Sequence, residues 1–244
     1  NQYINTNGSF IDDINARFEE SFINGTINST PLKLMVNSTI KDWASRISSE
    51  AEKVDIKFNL TVQRVQLSQN DPWSVVIGLN LSLYISDRLN TSYWIREVYP
   101  STSISILGFE DPLYVVNSKG RVTNTISSTN ITDFVVNKDV TNLMIHANNS
   151  FYIGHSDAPS FLMRLEGNLG SSQYGIESLV NLEEFIQQGL AIQDRSVVDY
   201  IYFGSDTTVN HRINNTPDWF KIDDGHLDFY QVRNICLPTA EDCA

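Results

Sequence analysis

Cysteine is almost absent from this sequence. Cys236 and Cys243, both near the C-terminal end, are all there is among 244 residues, so no disulfide framework can substitute for a packed core. The two are expected to pair with each other in an oxidising compartment. The loop they close is short, so the bond would tie down the tail more than it stabilises the whole. Long hydrophobic runs are missing too: no stretch reaches the roughly 18–20 apolar residues that span a bilayer. Nor does a charged-then-apolar signal segment open the chain, which leaves a fully secreted protein or an ectodomain freed from an anchor as the expectation. Basic residues are scarce, 17 Lys and Arg against 29 Asp and Glu, for a net charge of −12. That balance opposes attraction to nucleic-acid phosphates or to an anionic lipid surface. Membrane contact is therefore expected only through an anchor outside this chain, and an acidic surface mostly favours solubility.

Catalytic spacing is lacking as well. His146, His155, His211 and His226 show no metal-ligand spacing, no Ser sits in a Gly-x-Ser-x-Gly turn, and no Lys-Ser/Thr follows Gly167-x-x-Gly170 to make a phosphate loop. The acidic pairs Asp12/Asp13, Glu19/Glu20, Glu183/Glu184 and Asp223/Asp224 are sequence neighbours, which do not face each other on a helix or strand. The segment from Asp223 to Asp228 lacks the alternating carboxylates of a calcium loop and reads as a plain turn. The expectation is a protein that is not an enzyme, with no metal ligand and no cofactor. Two alternatives remain open. A secreted hydrolase of glycans could gather carboxylates such as Glu110, Asp111, Glu177 and Asp199 from distant positions, and a carbohydrate-binding module could stack sugars on Trp43, Trp73, Trp94 or Trp219.

What the sequence has in excess is acceptor sites for N-glycans. Asn7, Asn24, Asn28, Asn37, Asn59, Asn80, Asn90, Asn130, Asn148 and Asn214 each head an Asn-x-Ser/Thr triplet without Pro between. Random order of the same 24 Asn and 42 Ser or Thr would give about four such triplets. The surplus points to an extracellular chain carrying covalent sugar.

The strongest periodicity lies in residues 54–107. From Val54 to Val62 apolar and polar residues alternate, then the apolar phase slips to Val65 and Leu67, which predicts a bulge near Arg64. A turn at 68–72 leads into a second strand over 73–86, and a third over 93–107 is interrupted at Pro100 and so belongs at an edge. The alternation aims both Asn59 and Asn80 at the wet face. Helices are predicted at 10–23, with Phe10, Ile14, Phe18 and Phe22 in register, and at 39–53, where Ile40, Trp43, Ile47 and Ala51 form an apolar stripe. A short strand is predicted at 32–36, an exposed hairpin or loop at 117–132, and strands at 143–147 and 151–153. Helices at 159–169 and 181–192 and strands at 197–203 and 226–232 complete the chain. The whole reads as one extracellular α+β domain over 1–244, any subdomain boundary falling near 155–160. Its antiparallel meander packs with N-terminal amphipathic helices, and further short helices and strands make up the C-terminal third.

Four phrases carry a resemblance: Asp71-Pro72-Trp73, the run from Ile106 to Tyr114, that from Ser160 to Gly167, and Tyr174-Gly175-Ile176-Glu177-Ser178. They resemble the ectodomains of archaeal secreted, pilin-like surface proteins, over roughly residues 40–235. The resemblance implies a glycosylated, β-rich extracellular domain, anchored or polymerised through a processed hydrophobic N-terminal helix that this chain does not contain. It also implies partners: other copies of the chain, or other cell-surface proteins. A structural or adhesive role is the function expected.

Overall fold

The structure is a computed structural model that describes residues 2–205 and 208–236. Its backbone contacts divide it into two compact units, residues 2–105 and residues 106 onward. The division falls between Ser105 and Ile106, and residues 155–160 lie inside the second unit. Both helices and antiparallel strands build the chain, an α+β protein. Among the described residues no helix is long and apolar enough to cross a membrane.

The first unit is built on a long hairpin. Strands β1 (Thr26–Ile27) and β2 (Thr30–Pro31) form a small ribbon near its start, whereas β3 (Ile56–Asp71) and β4 (Ser74–Asp87) run antiparallel over their whole length. Phe58–Ile85, Leu60–Leu83, Val62–Leu81, Val65–Leu79 and Leu67–Ile77 pair across one face. Asn59–Tyr84, Thr61–Ser82 and Arg64–Asn80 pair across the other. The register shifts between Val62 and Arg64, where the apolar phase slips in the sequence. Strand β3 runs on to Asp71, four residues past its expected end, because Asp71 closes a tighter turn than expected. Its carboxylate accepts the Trp73 N–H at 2.7 Å and bonds the Ser74 hydroxyl. Strands β5 (Tyr93–Val98) and β6 (Ser101–Ser105) are the two halves of the third run, and both pair with β4. Pro100 parts them, and its carbonyl accepts the Leu79 N–H at 2.9 Å.

Helices finish this unit. The preceding α1 (Gln2–Asn7) is short, and α2 (Ile14–Asn24) begins four residues later than its apolar spacing suggests. The delay has a local cause: Asp13, in the left-handed region at φ 46°, uses its carboxylate to cap the Ala16 N–H. The far end stops at Gly25, whose φ of 73° closes the last turn. Helix α2 then covers the edge of β3. Glu19 accepts the Val65 N–H at 3.1 Å and Asn15 accepts the Leu67 N–H at 2.8 Å, satisfying edge donors that would otherwise template foreign strands. The strand predicted at 32–36 is instead a 3₁₀ turn, Lys33–Met35, because Asn37 at φ 57° turns the chain into the next helix.

Helix α3 (Ile40–Glu52) opens with a capping box: Thr39 accepts the Asp42 N–H at 3.2 Å while Asp42 accepts the Thr39 N–H at 3.0 Å. Thr39→Ala is expected to cost the first unit about 1 kcal/mol in urea unfolding of unglycosylated protein. Thr39 also completes the Asn37 triplet, so Thr39→Ser, which keeps both the triplet and a capping oxygen, is the control and is expected to leave stability within about 0.5 kcal/mol. The apolar stripe of α3 does not enter a core. Trp43 is 59 % exposed and Ile47 40 %, and no residue of this helix is buried.

The second unit is assembled from short pieces. They are α4 (Pro112–Asn117), α5 (Thr141–Asn148), β7 (Tyr152–Gly154), α6 (Phe161–Leu165), β8 (Ile176–Ser178), α7 (Leu182–Gln187), α8 (Asp199–Tyr202), β9 (Asn210–Arg212) and β10 (Lys221–Asp223). Strands β7 and β8 pair antiparallel, as do β9 and β10. Residues 143–147 and 197–203, expected as strands, lie in and around the helices α5 and α8, while 226–232 forms turns. Apolar runs this short span too few residues for periodicity to tell strand from helix. The predicted loop over 117–132 has no strand, yet it inserts Val122 and Ile126 into the core. The centre of this unit holds Tyr114, Phe134, Leu143, Tyr152, Ile176 and Phe220, each under 3 % exposed.

Candidate functional site

Nine of the ten glycan-acceptor asparagines are exposed: Asn7, Asn24, Asn28, Asn37, Asn59, Asn90, Asn130, Asn148 and Asn214. Asn28, Asn37 and Asn90 sit at left-handed turn positions (φ 48°, 57° and 56°), which asparagine tolerates better than most residues. Asn80 differs. It shares a face with Asn59, as the alternation requires, but it is half-buried, and its Oδ1 is shielded with no hydrogen-bond partner among the described residues. The cause is strand order, since β4 has neighbours on both sides while β3 is an edge. Alternation sets the face of a residue but not its depth. The expected Cys236–Cys243 pairing involves Cys243, which lies outside the described residues.

The distant carboxylates considered for glycan hydrolysis have another fate. Glu110 is half-buried and bridges to Thr125 through its backbone, while Asp111, Glu177 and Asp199 are each 0 % exposed. Asp111 caps α4 through the Leu113 N–H at 2.8 Å, with Pro112 at the first helical position. Its other oxygen meets Arg164 Nη1 at 2.6 Å and accepts the Tyr152 hydroxyl at 2.8 Å. Arg164 projects from α6 and forks onto Asp199 as well, at 2.9 and 3.1 Å, while Nη2 also donates to the Ile176 carbonyl. Ser178 adds two hydrogen bonds to Asp199 from its N–H (3.0 Å) and hydroxyl (2.7 Å). Burial opposes the charge on Arg164, but the Asp199 and Asp111 carboxylates outweigh it and raise its pKa. Burial lifts the Asp199 carboxyl, which shares one cation with Asp111.

Glu177 belongs to a second buried cluster. It sits in β8, two residues after Gly175, where a Cβ would collide with the carbonyl oxygens of His155 and Ala158. Only glycine lets the turn after β7 fold back so closely, and that turn delivers His155. His155 Nδ1 lies 2.8 Å from Glu177 Oε2. From β10 and the 3₁₀ turn Asp224–His226 come Asp223 and His226, with His226 Nδ1 at 2.7 Å from Asp223 and Nε2 at 3.4 Å from Glu177 Oε2. Three hydroxyls complete the cluster. Tyr230 donates to Glu177 Oε1 at 2.7 Å, Ser196 donates to Asp223 at 2.7 Å, and Tyr200 lies 2.9 Å from His226 Nε2.

Burial alone would raise the Glu177 pKa, but hydrogen bonds from His155 and His226 bring it down to about 2. Burial likewise disfavours the His226 cation, yet its bonds to Asp223 and Glu177 push its pKa up to about 10. Burial pushes the Tyr230 phenol well above the ordinary value, with Glu177 adding to it.

Sequence spacing does not reveal these clusters. His155 and His226 stand far apart along the chain, whereas β7, β8 and β10 join them in space. A signal does exist: Arg164 and Glu177 each stand inside a short apolar run, where a lone charge requires a buried partner. Comparison with protein-family models, curated proteins and solved structures finds no match to this chain.

Proposed function

We propose that this chain is an extracellular, N-glycosylated cell-surface protein with a structural or adhesive role, a pilin-like or filament-associated subunit that works without catalysis. The observation that carries this reading is the set of acceptor triplets, ten where chance gives about four, with nine of the asparagines exposed. Burial of Asp111, Glu177 and Asp199 in hydrogen-bonded pairs supports it against the hydrolase alternative, which needs carboxylates that reach a substrate and a water. The first unit also exposes many large apolar side chains, among them Trp43, Tyr93, Ile95 and Tyr99, and these suit a protein that meets other copies of itself or other surface proteins.

Surface location is tested on intact cells that make the protein, with a membrane-impermeant amine reagent. Lys33, Lys53 and Lys57 are exposed, so the reagent is expected to label this chain before lysis. Labelling that appears only after lysis would overturn the surface role.

A further inference from the structure

We propose that His155, Glu177 and His226 form a binding site for one divalent transition-metal ion of the zinc class. Their donor atoms, one from each side chain, all lie within 4.8 Å of one another. Donors bound at about 2.0–2.1 Å to a tetrahedral ion stand roughly 3.4 Å apart. Two separations are observed near that spacing, 2.8 Å from Glu177 Oε2 to His155 Nδ1 and 3.4 Å to His226 Nε2, and the third, between the two imidazoles, lies within 4.8 Å. Two imidazole nitrogens and one carboxylate oxygen match a borderline metal such as Zn²⁺, whereas calcium and magnesium call for oxygen throughout.

The surroundings are those of a built site. Asp223 accepts from Nδ1 of His226 at 2.7 Å, which leaves Nε2 as the nitrogen aimed at Glu177. Ser196 holds the second oxygen of Asp223 at 2.7 Å, and Tyr230 holds Glu177 Oε1 at 2.7 Å, so Oε2 is the oxygen that remains for an ion. Tyr200 Oη, 2.9 Å from His226 Nε2, is a further oxygen beside the site for a fourth position. Charge fits as well: a divalent ion that displaces any proton from the imidazoles it binds balances the two carboxylates Glu177 and Asp223. An ion pair alone would explain His226 between its two carboxylates. It gives no reason for a second imidazole to converge on the same Glu177 oxygen, with the two rings 5.3 Å apart. The site is closest to solvent on the His155 side, whose side chain is 16 % exposed while that of Glu177 is 0 %.

The test uses the full chain without a histidine tag, stripped with chelator. Titration with Zn²⁺ by calorimetry is expected to show one equivalent bound at micromolar or tighter affinity, and Co²⁺ to give the visible bands of a four-coordinate N/O site. His155→Ala, at the partly exposed ligand, should weaken binding at least tenfold while the metal-free protein keeps its far-ultraviolet circular dichroism. Tyr230→Phe removes only the hydroxyl that orients Glu177 and should weaken binding about 10–100-fold, a second readout should His155→Ala fail to fold. Wild-type protein that binds no stoichiometric Zn²⁺ at concentrations about a hundredfold above the micromolar range, or binding unchanged in both variants, overturns the proposal.

Discussion

Arg164→Met is expected to lower the unfolding free energy of the second unit by about 3–5 kcal/mol, the largest loss from any single substitution considered for this chain. Methionine matches much of the arginine's length and apolar stem, so the loss reports charge and hydrogen bonding more than volume. Asp111 and Asp199, both 0 % exposed, would be left as buried carboxylates without their shared cation, and the Ile176 carbonyl would lose a donor. Desolvation decides the outcome: breaking a buried pair costs far more than the pair contributes against an apolar substitute. A further variant separates the two effects. Adding Asp111→Asn and Asp199→Asn to Arg164→Met removes the orphaned charges, and an asparagine side chain at the first of these positions can still cap α4, so the triple variant should regain part of the stability. Urea unfolding of wild type, single and triple variant measures this. A loss under about 1 kcal/mol for Arg164→Met would mean that the network is not a keystone of this unit.

The second large effect is a loss of stability in acid, centred on His146. Its side chain is fully buried in α5, with Phe134 at 5.2 Å and Tyr230 at 6.0 Å between ring centroids, and neither ring nitrogen has a hydrogen-bond partner among the described residues. Burial lowers its pKa from 6.5 to about 4, with Glu177 opposing weakly. The folded state therefore holds His146 neutral while the unfolded chain protonates it below about pH 6.5. The stability this group contributes is present above pH 6.5 and falls as the pH drops toward 4, by roughly 3 kcal/mol across that window. His146→Phe keeps an aromatic ring in an aromatic pocket and removes the titration, so its stability should change much less over the same range. Unfolding midpoints of both proteins at pH 7.0, 5.5 and 4.5 compare the two slopes, and parallel slopes would show that another group governs the acid limb.

Legibility is uneven along the chain, and the reason is physical. In the first unit, β3 and β4 are long, face solvent on one side and alternate in step, so the bulge near Arg64, the break at Pro100 and the start of α3 at Thr39 can all be read from residue order. Depth cannot be read there. The stripe of α3 looks made for a core and is exposed, and Asn80 looks wet and is half-buried, because periodicity reports direction and not what covers a face. In the second unit the informative contacts are non-local. Arg164 reaches Asp111 across 53 residues and Tyr230 reaches Glu177 across 53, and no spacing rule spans such a distance. Short apolar runs there become helices or turns according to tertiary packing, so 143–147 and 197–203 read as strands and fold otherwise.

The claim that this is a glycosylated surface protein rests on whether its acceptor asparagines carry sugar, and glycopeptide mass spectrometry of protein isolated from the cells that make it tests this most directly. Asn59 is exposed on an edge strand and is expected to carry glycan, with further occupancy spread over the other exposed sites. Asn80, with its shielded carboxamide, is expected to show lower occupancy than Asn59. Unmodified peptides at all ten positions would contradict the account, because the surplus of triplets would then be an accident of an asparagine- and serine-rich composition.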